Sequence, residues 1–341
     1  MYTAGSLFAG IGGICMGFTQ AGFCVKWANE IDEKACQTYE HNRRLVKEDV
    51  EVINLDVLKF RPKPPEKIID VLTAGFPCQP YSIAGGRKGL KDDRAVPMFK
   101  SITRIARTLQ PRAIFMENVP LLLTLNDGKI LRHYENMLKR SEYPYLWKGI
   151  YSTHEYGGVV QMRKRLYMVA FRDIKDYSLF VSKIEEKMTP IPITRTFSDI
   201  IDAETPAPEK YYYNEKKMKQ FKRDVENVVT ETGRFYQYRR NRTRCFKHND
   251  PELCPTLTAS MGVGGHNVPL IRDSTGIRKL TPKECVLLQG FPEEFEFPET
   301  MGDATVYKQA GNSVSVPVIR RLALILKETL EAADSPSSPS S

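Results

Sequence analysis

No two of the seven cysteines (positions 15, 24, 36, 78, 245, 254 and 285) form a CxxC pair, so this odd, scattered set offers neither a disulfide framework nor a zinc site. The chain reads as a reduced, cytosolic-type protein with no resident metal. Charged side chains are missing from residues 1–25, which raises the question of a membrane segment. Six glycines in that stretch, and no basic residue ahead of its apolar part, favour a strand, a glycine turn and a helix instead. No other run is long and apolar enough to cross a bilayer, and there are no internal repeats.

What is present is a 341-residue chain, 41% hydrophobic, enough for two cores. Its formal net charge of +9 points to a polyanionic partner, and the distribution sharpens the point. Between Lys210 and Lys247, twelve Lys or Arg stand against four Asp or Glu, nearly the whole excess of the chain. Phe235, Tyr236, Tyr238 and Phe246 lie among them, in "RFYQYRRNRTRCFKHN". Such a run is either a solvated face or a surface for nucleic acid, where basic groups meet phosphate and arginine can read guanine edges.

The first half alternates β-rich runs with helical patterns, which predicts an α/β fold around a parallel sheet. The expected strands are Thr3–Phe8, Phe23–Asn29, Val50–Leu55, Ile68–Ala74, Arg112–Met116 and Leu166–Phe171. Met98, Ile102, Ile105 and Leu109 mark a helix from Pro97, ended by Pro111. From about Asp173 the alternation is lost, and a second, smaller, irregular domain is expected over 173–302. Within "LTPKECVLLQG", Thr281, Pro282 and Glu284 supply an N-cap, an N1 proline and a capping box, with Gly290 as the stop. A last helix over Pro317–Ala333 buries Leu322, Ile325, Leu326 and Leu330, and the tail 334–341, "DSPSSPSS", reads as disordered.

Polar groups recur where strands end. "SLFAGIGG" leaves the first strand through Gly10, Gly12 and Gly13, a turn that lets a nucleotide-like ligand approach a helix N-terminus. Glu30 ends the second strand, Asp56 follows the third, Cys78 the fourth and Glu117 the fifth. In a parallel sheet these carboxyl ends share one edge, where such folds bind ligands. Each residue alone could be a cap or turn; together they predict a site. A dinucleotide dehydrogenase would share this edge, but the turn is GxGG rather than GxGxxG and no hydride-transfer base is evident. Cys78 stands between Pro77 and Pro80 in "GFPCQPYS", stiffly held, followed by a loop over Ile83–Arg94 with Gly85, Gly86 and Gly89 beside Arg87, Lys88 and Arg94. That loop is built to move and to meet phosphate.

In order along the chain, "FAGIGG", "NEID", "GFPCQPYS", "MENV", "QMRKR", "RKLTPKECVLLQGFP" and "QAGNSVSVPV" resemble the motifs of the DNA (cytosine-5)-methyltransferases, of bacterial restriction–modification type. The resemblance implies a Rossmann-like methyltransferase domain over 1–172, completed by 303–333, that holds S-adenosylmethionine. The domain over 173–302 would recognise the target, with double-stranded DNA as partner. It places Phe8, Gly10, Ile11, Gly13, Glu30, Ile31, Asp56 and Val57 around the cofactor, with Glu30 on the ribose and Asp56 on the adenine. Asn312 and Val314 would close that pocket. Cys78 would be the nucleophile, Glu117 the acid on the base ring, and Arg163 and Arg165, alternating on one strand face, would lie beside a flipped-out cytosine. Gln161 and Asn118 would support them.

DNA contacts are expected from Gln79, Ser82, Arg87, Arg239, Arg240, Arg242 and Arg244, with Thr256 and Leu257 supporting target recognition. Ala74, Tyr81 and Ser6 depart from common family residues without removing a group the chemistry uses. By the same analogy the protein is a cytoplasmic monomer, nucleoid-associated if bacterial, with a cognate restriction endonuclease as possible companion. Two alternatives stay open: a silent DNA-binding relative, and the branch of the family that methylates transfer RNA.

Overall fold

The computed structural model describes residues 1–47, 49–64, 68–77, 95–213, 222–239, 244–247, 250, 252–263 and 268–335. The chain folds as two units, and among the described residues the first takes Met1–Tyr151, Lys164–Thr189 and Val318–Ser341. The second takes Ser152–Arg163 and Pro190–Pro317.

Gly5 shows how tightly the first unit is laid down. A Cβ there would run into the Trp27 ring, so only glycine lets that fully buried indole cross the strand. The strands of the first unit are Thr3–Leu7 (β1), Cys24–Glu30 (β2), Glu51–Asn54 (β3), Val71–Ala74 (β4), Ala113–Asn118 (β5) and Tyr145–Ser152 (β6). The short Gln161–Met162 (β7) belongs to the second unit, and Lys164–Phe171 (β8) returns to the first. They form a seven-stranded sheet in the order β3-β2-β1-β4-β5-β8-β6. Strands β3 through β5 pair parallel, as the alternating pattern predicts. Strand β8, however, runs antiparallel to β5, which corrects the expectation of an all-parallel sheet. Both β4 and β5 are buried along their whole length, as strands covered on both faces must be.

The helix Ala95–Leu109 places Phe99, Ile102, Ile105, Ala106 and Leu109 in the core, with Met98 only half-buried. In the final helix, Val316–Asp334, Leu322, Ile325, Leu326 and Leu330 are all buried as expected. It extends to Asp334, whose carboxylate takes the Tyr2 hydroxyl at 2.6 Å and Arg112 at 2.7 Å, so Asp334 is helical rather than part of the expected tail. Residues 336–341 lie outside the described residues.

The helix Ile174–Lys187 also differs from expectation. It folds with the first unit although its sequence lies beyond the expected boundary at 172. The reason is apolar: Phe180 is fully buried, with ring centroids 5.2 Å from Phe171 and 5.4 Å from Trp147.

The second unit is more regular than its composition suggests. Tyr236–Arg239 (β9), Arg244–Lys247 (β10), Cys254–Pro255 (β11), Val268–Arg272 (β12) and Ile277–Lys279 (β13) follow in order. Four of them form an antiparallel sheet, β10-β9-β12-β13, over a core of Val225, Val229, Tyr236, Leu270 and Ile277. The predicted capping box of Thr281 and Glu284 is present, and Gly290 ends that segment at φ 77° against Pro317.

A buried cation ties these parts together. Arg278 donates to Asp273 at 2.6 Å and in a fork to both Glu284 oxygens at 2.9 and 2.8 Å. Burial pushes the Asp273 carboxyl up, but the Tyr212 hydroxyl, Arg278 and the amides of Gly276 and Thr275 outweigh it and hold the group below the usual carboxylate range. A carboxyl depressed in the folded state stabilises above its unfolded pKa and loses that contribution as pH falls through the folded value. Arg278→Met is therefore expected to cost roughly 3–5 kcal/mol in chemical denaturation at neutral pH, because it strands two buried carboxylates. A loss under about 1 kcal/mol would mean that this network contributes little.

Candidate active site

The sheet order reverses between β1 and β4, the place where open α/β sheets leave a crevice for ligands. The turn after β1 is unusual: Phe8, Gly10 and Gly12 all adopt left-handed backbone, at φ 55°, 56° and 91°. For a phenylalanine this conformation is strained, and such strain gathers at functional sites. Glu30 secures the turn. One of its oxygens accepts the Gly10 amide at 2.9 Å, and the other accepts the amides of Ile31 and Asp32 at 2.8 and 2.9 Å. Asn29 and Asn54, which the sequence reading did not single out, lace the neighbouring ends. Asn29 donates to the Ile53 and Leu55 carbonyls, and Asn54 to those of Glu30 and Ile31. Asp56 follows, with one oxygen turned onto the Leu58 amide at 2.9 Å. Ile11 and Gly13 are buried, and Val57 is 5% exposed.

Glu117 sits at the end of β5, 8% exposed, with the Arg165 guanidinium 3.1 Å from its carboxylate. The antiparallel course of β8 is what brings them together. Glu117 lies opposite Tyr167, so Arg165, two residues earlier on the same face, is its diagonal neighbour. In a parallel arrangement, the start of β8 would lie at the far edge of the sheet. Asn118 uses both ends of its amide: Nδ2 donates to the Phe76 carbonyl at 3.1 Å and Oδ1 accepts the Val119 amide at 2.8 Å. The end of β5 is thus bound to the chain two residues before Cys78. Cys78, Gln79, Ser82, Arg87 and the loop Ile83–Arg94 lie outside the described residues.

Arg163 does not share a strand face with Arg165. It occupies the break between β7 and β8, is 2% exposed, and belongs to the second unit. Its guanidinium donates to the carbonyls of Leu257 at 3.1 Å, of Gly311 at 3.4 Å, and of Ser313. Gln161 donates to the Leu288 carbonyl at 2.8 Å, also within the second unit. Leu257 is fully buried, and the Thr256 hydroxyl donates to the Met162 carbonyl, so this pair shapes its segment from inside. Val314 is 6% exposed, whereas Asn312 is exposed between buried neighbours. Arg239 and Arg244 face each other in the β9–β10 register, with only their backbone described; Arg240 and Arg242 lie outside the described residues.

A family model for the C-5 cytosine-specific DNA methylases matches residues 2–328. The chain belongs to this family. Its relatives include the type II methyltransferase M.Bsp6I of Bacillus sp. (strain RFL6), 40% identical over 95% of this chain and 98% of that one. M.NlaX of Neisseria lactamica is 33% identical over 97% and 98% of the two chains. In fold, the methylase resembles the Dnmt2 methyltransferase of S. pombe, with a TM-score of 0.69, 17% identity, and coverage of 98% of this chain and 100% of that one. The protein is thus a DNA (cytosine-5) methyltransferase.

No group of three or more metal-ligating side chains occurs among the described residues, nor is any of their helices long and apolar enough to cross a membrane. The carboxyl edge of β2 and β3 does suit an adenosyl group. Three of the large apolar side chains left exposed, Ile31 at 63%, Leu55 at 37% and Leu58 at 42%, stand there beside Glu30 and Asp56. Apolar groups held next to two carboxylates offer a flat ring a surface and its polar edge acceptors. Ile31→Glu is expected to raise the dissociation constant for S-adenosylhomocysteine about tenfold or more by calorimetry. Unchanged affinity would remove Ile31 from the pocket.

Proposed function

We propose that this methylase transfers the methyl group of S-adenosylmethionine to carbon 5 of a cytosine flipped out of duplex DNA, through a covalent adduct at Cys78. The Glu117–Arg165 pair carries this reading. It stands at the carboxyl edge of the sheet, on the strand that Asn118 ties to the segment leading into Cys78.

Carbon 5 of cytosine is a weak nucleophile. Addition of the Cys78 thiolate to carbon 6 makes the ring an enamine whose carbon 5 can attack. When bound, the cofactor would supply an electrophilic sulfonium methyl for carbon 5, with the thioether as leaving group. Glu117 holds or donates a proton at ring N3, offsetting the charge that thiolate addition pushes there, and Arg165 holds Glu117 in place. The proton on carbon 5 then leaves to water, the carbon 6–sulfur bond breaks to return the thiolate, and ring N3 gives any proton it took back to Glu117. Gly10, Glu30, Ile31, Asp56 and Val57 would hold the adenosyl part, with Phe8, Ile11 and Gly13 shaping the turn and Asn312 and Val314 closing over it.

The target carbon is buried in stacked duplex, which is why the base must leave the helix. The second unit, with Arg239, Arg240, Arg242 and Arg244, would read the sequence, while Gln79, Ser82 and Arg87 meet the strand at the flipped base. The type II methyltransferase names of the relatives support an enzyme of restriction–modification type, and the protein would act as a cytoplasmic monomer beside a cognate endonuclease. Methyl transfer from labelled S-adenosylmethionine to unmethylated duplex, mapped by bisulfite sequencing, tests the reading. Label at one recurring short sequence is expected; label in transfer RNA instead would contradict it.

A further inference from the structure

The three segments 161–163, 254–259 and 311–314 come together within the second unit, and one side chain lies at their junction. Arg163 is almost fully buried and places its fork on the carbonyl of Leu257 on one side and those of Gly311 and Ser313 on the other. Its own segment reaches the first of these by other bonds as well. Strand β11 pairs in parallel with β7, and the Thr256 hydroxyl donates to the Met162 carbonyl. On the other side, a Cβ on Gly311 would strike the backbone of Thr258 and Ala259, so the two outer segments touch main chain to main chain. Between buried Gly311 and Ser313, Asn312 is exposed.

A guanidinium fixed by carbonyls from two segments holds those segments at one spacing. We propose that Arg163 is a positioning residue that locks the target-recognition segment Thr256–Ala259 to the cofactor-closing segment Gly311–Val314, so that cofactor and DNA binding are coupled through it. The proposal rests on the reading of Asn312 and Val314 as cofactor-closing residues. It gives Arg163 a different task from Arg165, which pairs with Glu117. Coupling of this kind is reciprocal, so whatever cofactor does for DNA affinity, DNA does equally for cofactor affinity.

The test measures S-adenosylhomocysteine binding by the full chain, without DNA and with the duplex that bisulfite mapping identifies. Arg163→Lys keeps the charge but loses the fork. It is expected to weaken cofactor binding about tenfold without DNA, and to abolish the tightening that each ligand gives the other. Thr256→Val, which removes only the hydroxyl on Met162, is expected to shift both in the same direction by a smaller factor; it provides the reading if Arg163→Lys does not fold. Arg165→Lys is expected to lower turnover with cofactor affinity unchanged. Arg163→Lys that binds cofactor normally without DNA and loses only turnover would place Arg163 at the base and overturn the proposal. Asn312→Ala keeps the Arg163 bonds. If it binds cofactor normally while Arg163→Lys does not, only the assignment of Asn312 falls. If both bind cofactor normally, the cofactor-closing reading on which the proposal rests falls with the proposal.

Discussion

Cys78→Ser is expected to lower methyl transfer about ten-thousandfold or more while leaving cofactor affinity near its original value. A serine hydroxyl does not ionise near neutral pH, so it cannot add to carbon 6 without a strong base beside it. Nor can Cys15, Cys36, Cys254 or Cys285 take over. Burial pushes the thiols of Cys15, Cys254 and Cys285 up, and that of Cys36 up to about 11, so almost none is thiolate at neutral pH. The check is single-turnover transfer to duplex DNA at saturating cofactor, with cofactor affinity measured separately. Turnover within about tenfold of the unchanged protein would end the covalent mechanism.

Glu117→Gln is expected to reduce the same rate by about a hundred- to ten-thousandfold, the range general acid–base groups usually supply. The amide keeps the shape of the side chain but has no acidic proton to share with ring N3. The loss has a second source: Glu117 is 8% exposed and lies 3.1 Å from Arg165, so the variant leaves a guanidinium without its carboxylate at a largely desolvated edge. Cofactor affinity is expected to stay unchanged, because the Gly10–Glu30 turn does not depend on it. A fall in cofactor affinity with an intact rate at saturation would instead make Glu117 a structural residue of the cofactor pocket.

The parallel half of the sheet was legible because buried β-rich runs separated by helical periodicity have little other way to pack. The glycine turn and the acids at the strand ends were legible for the same reason, since their positions follow once the strands are placed. Strand direction was not, because β8 has the same apolar pattern whichever way it runs. Only its pairing with β5 turns Arg165 toward Glu117. Arg163 was misplaced by the same step: two arginines two residues apart look like one strand face, but the break between β7 and β8 sends the first into the second unit. Edge strand β6 escaped notice because half-buried and exposed residues mix along it. Strands of three to five residues among proline and charge hid the small sheet of the second unit.

The central claim is that carbon 5 reacts only while Cys78 is bonded to carbon 6. Duplex DNA with 5-fluorocytosine at the methylated position tests it most directly, since methyl transfer leaves fluorine where the departing proton should be and the adduct cannot collapse. Incubated with S-adenosylmethionine, the protein is expected to form a complex that survives denaturation, with mass spectrometry placing the modified base on Cys78. Methyl transfer without any trapped complex, or a complex on another residue, would contradict the account.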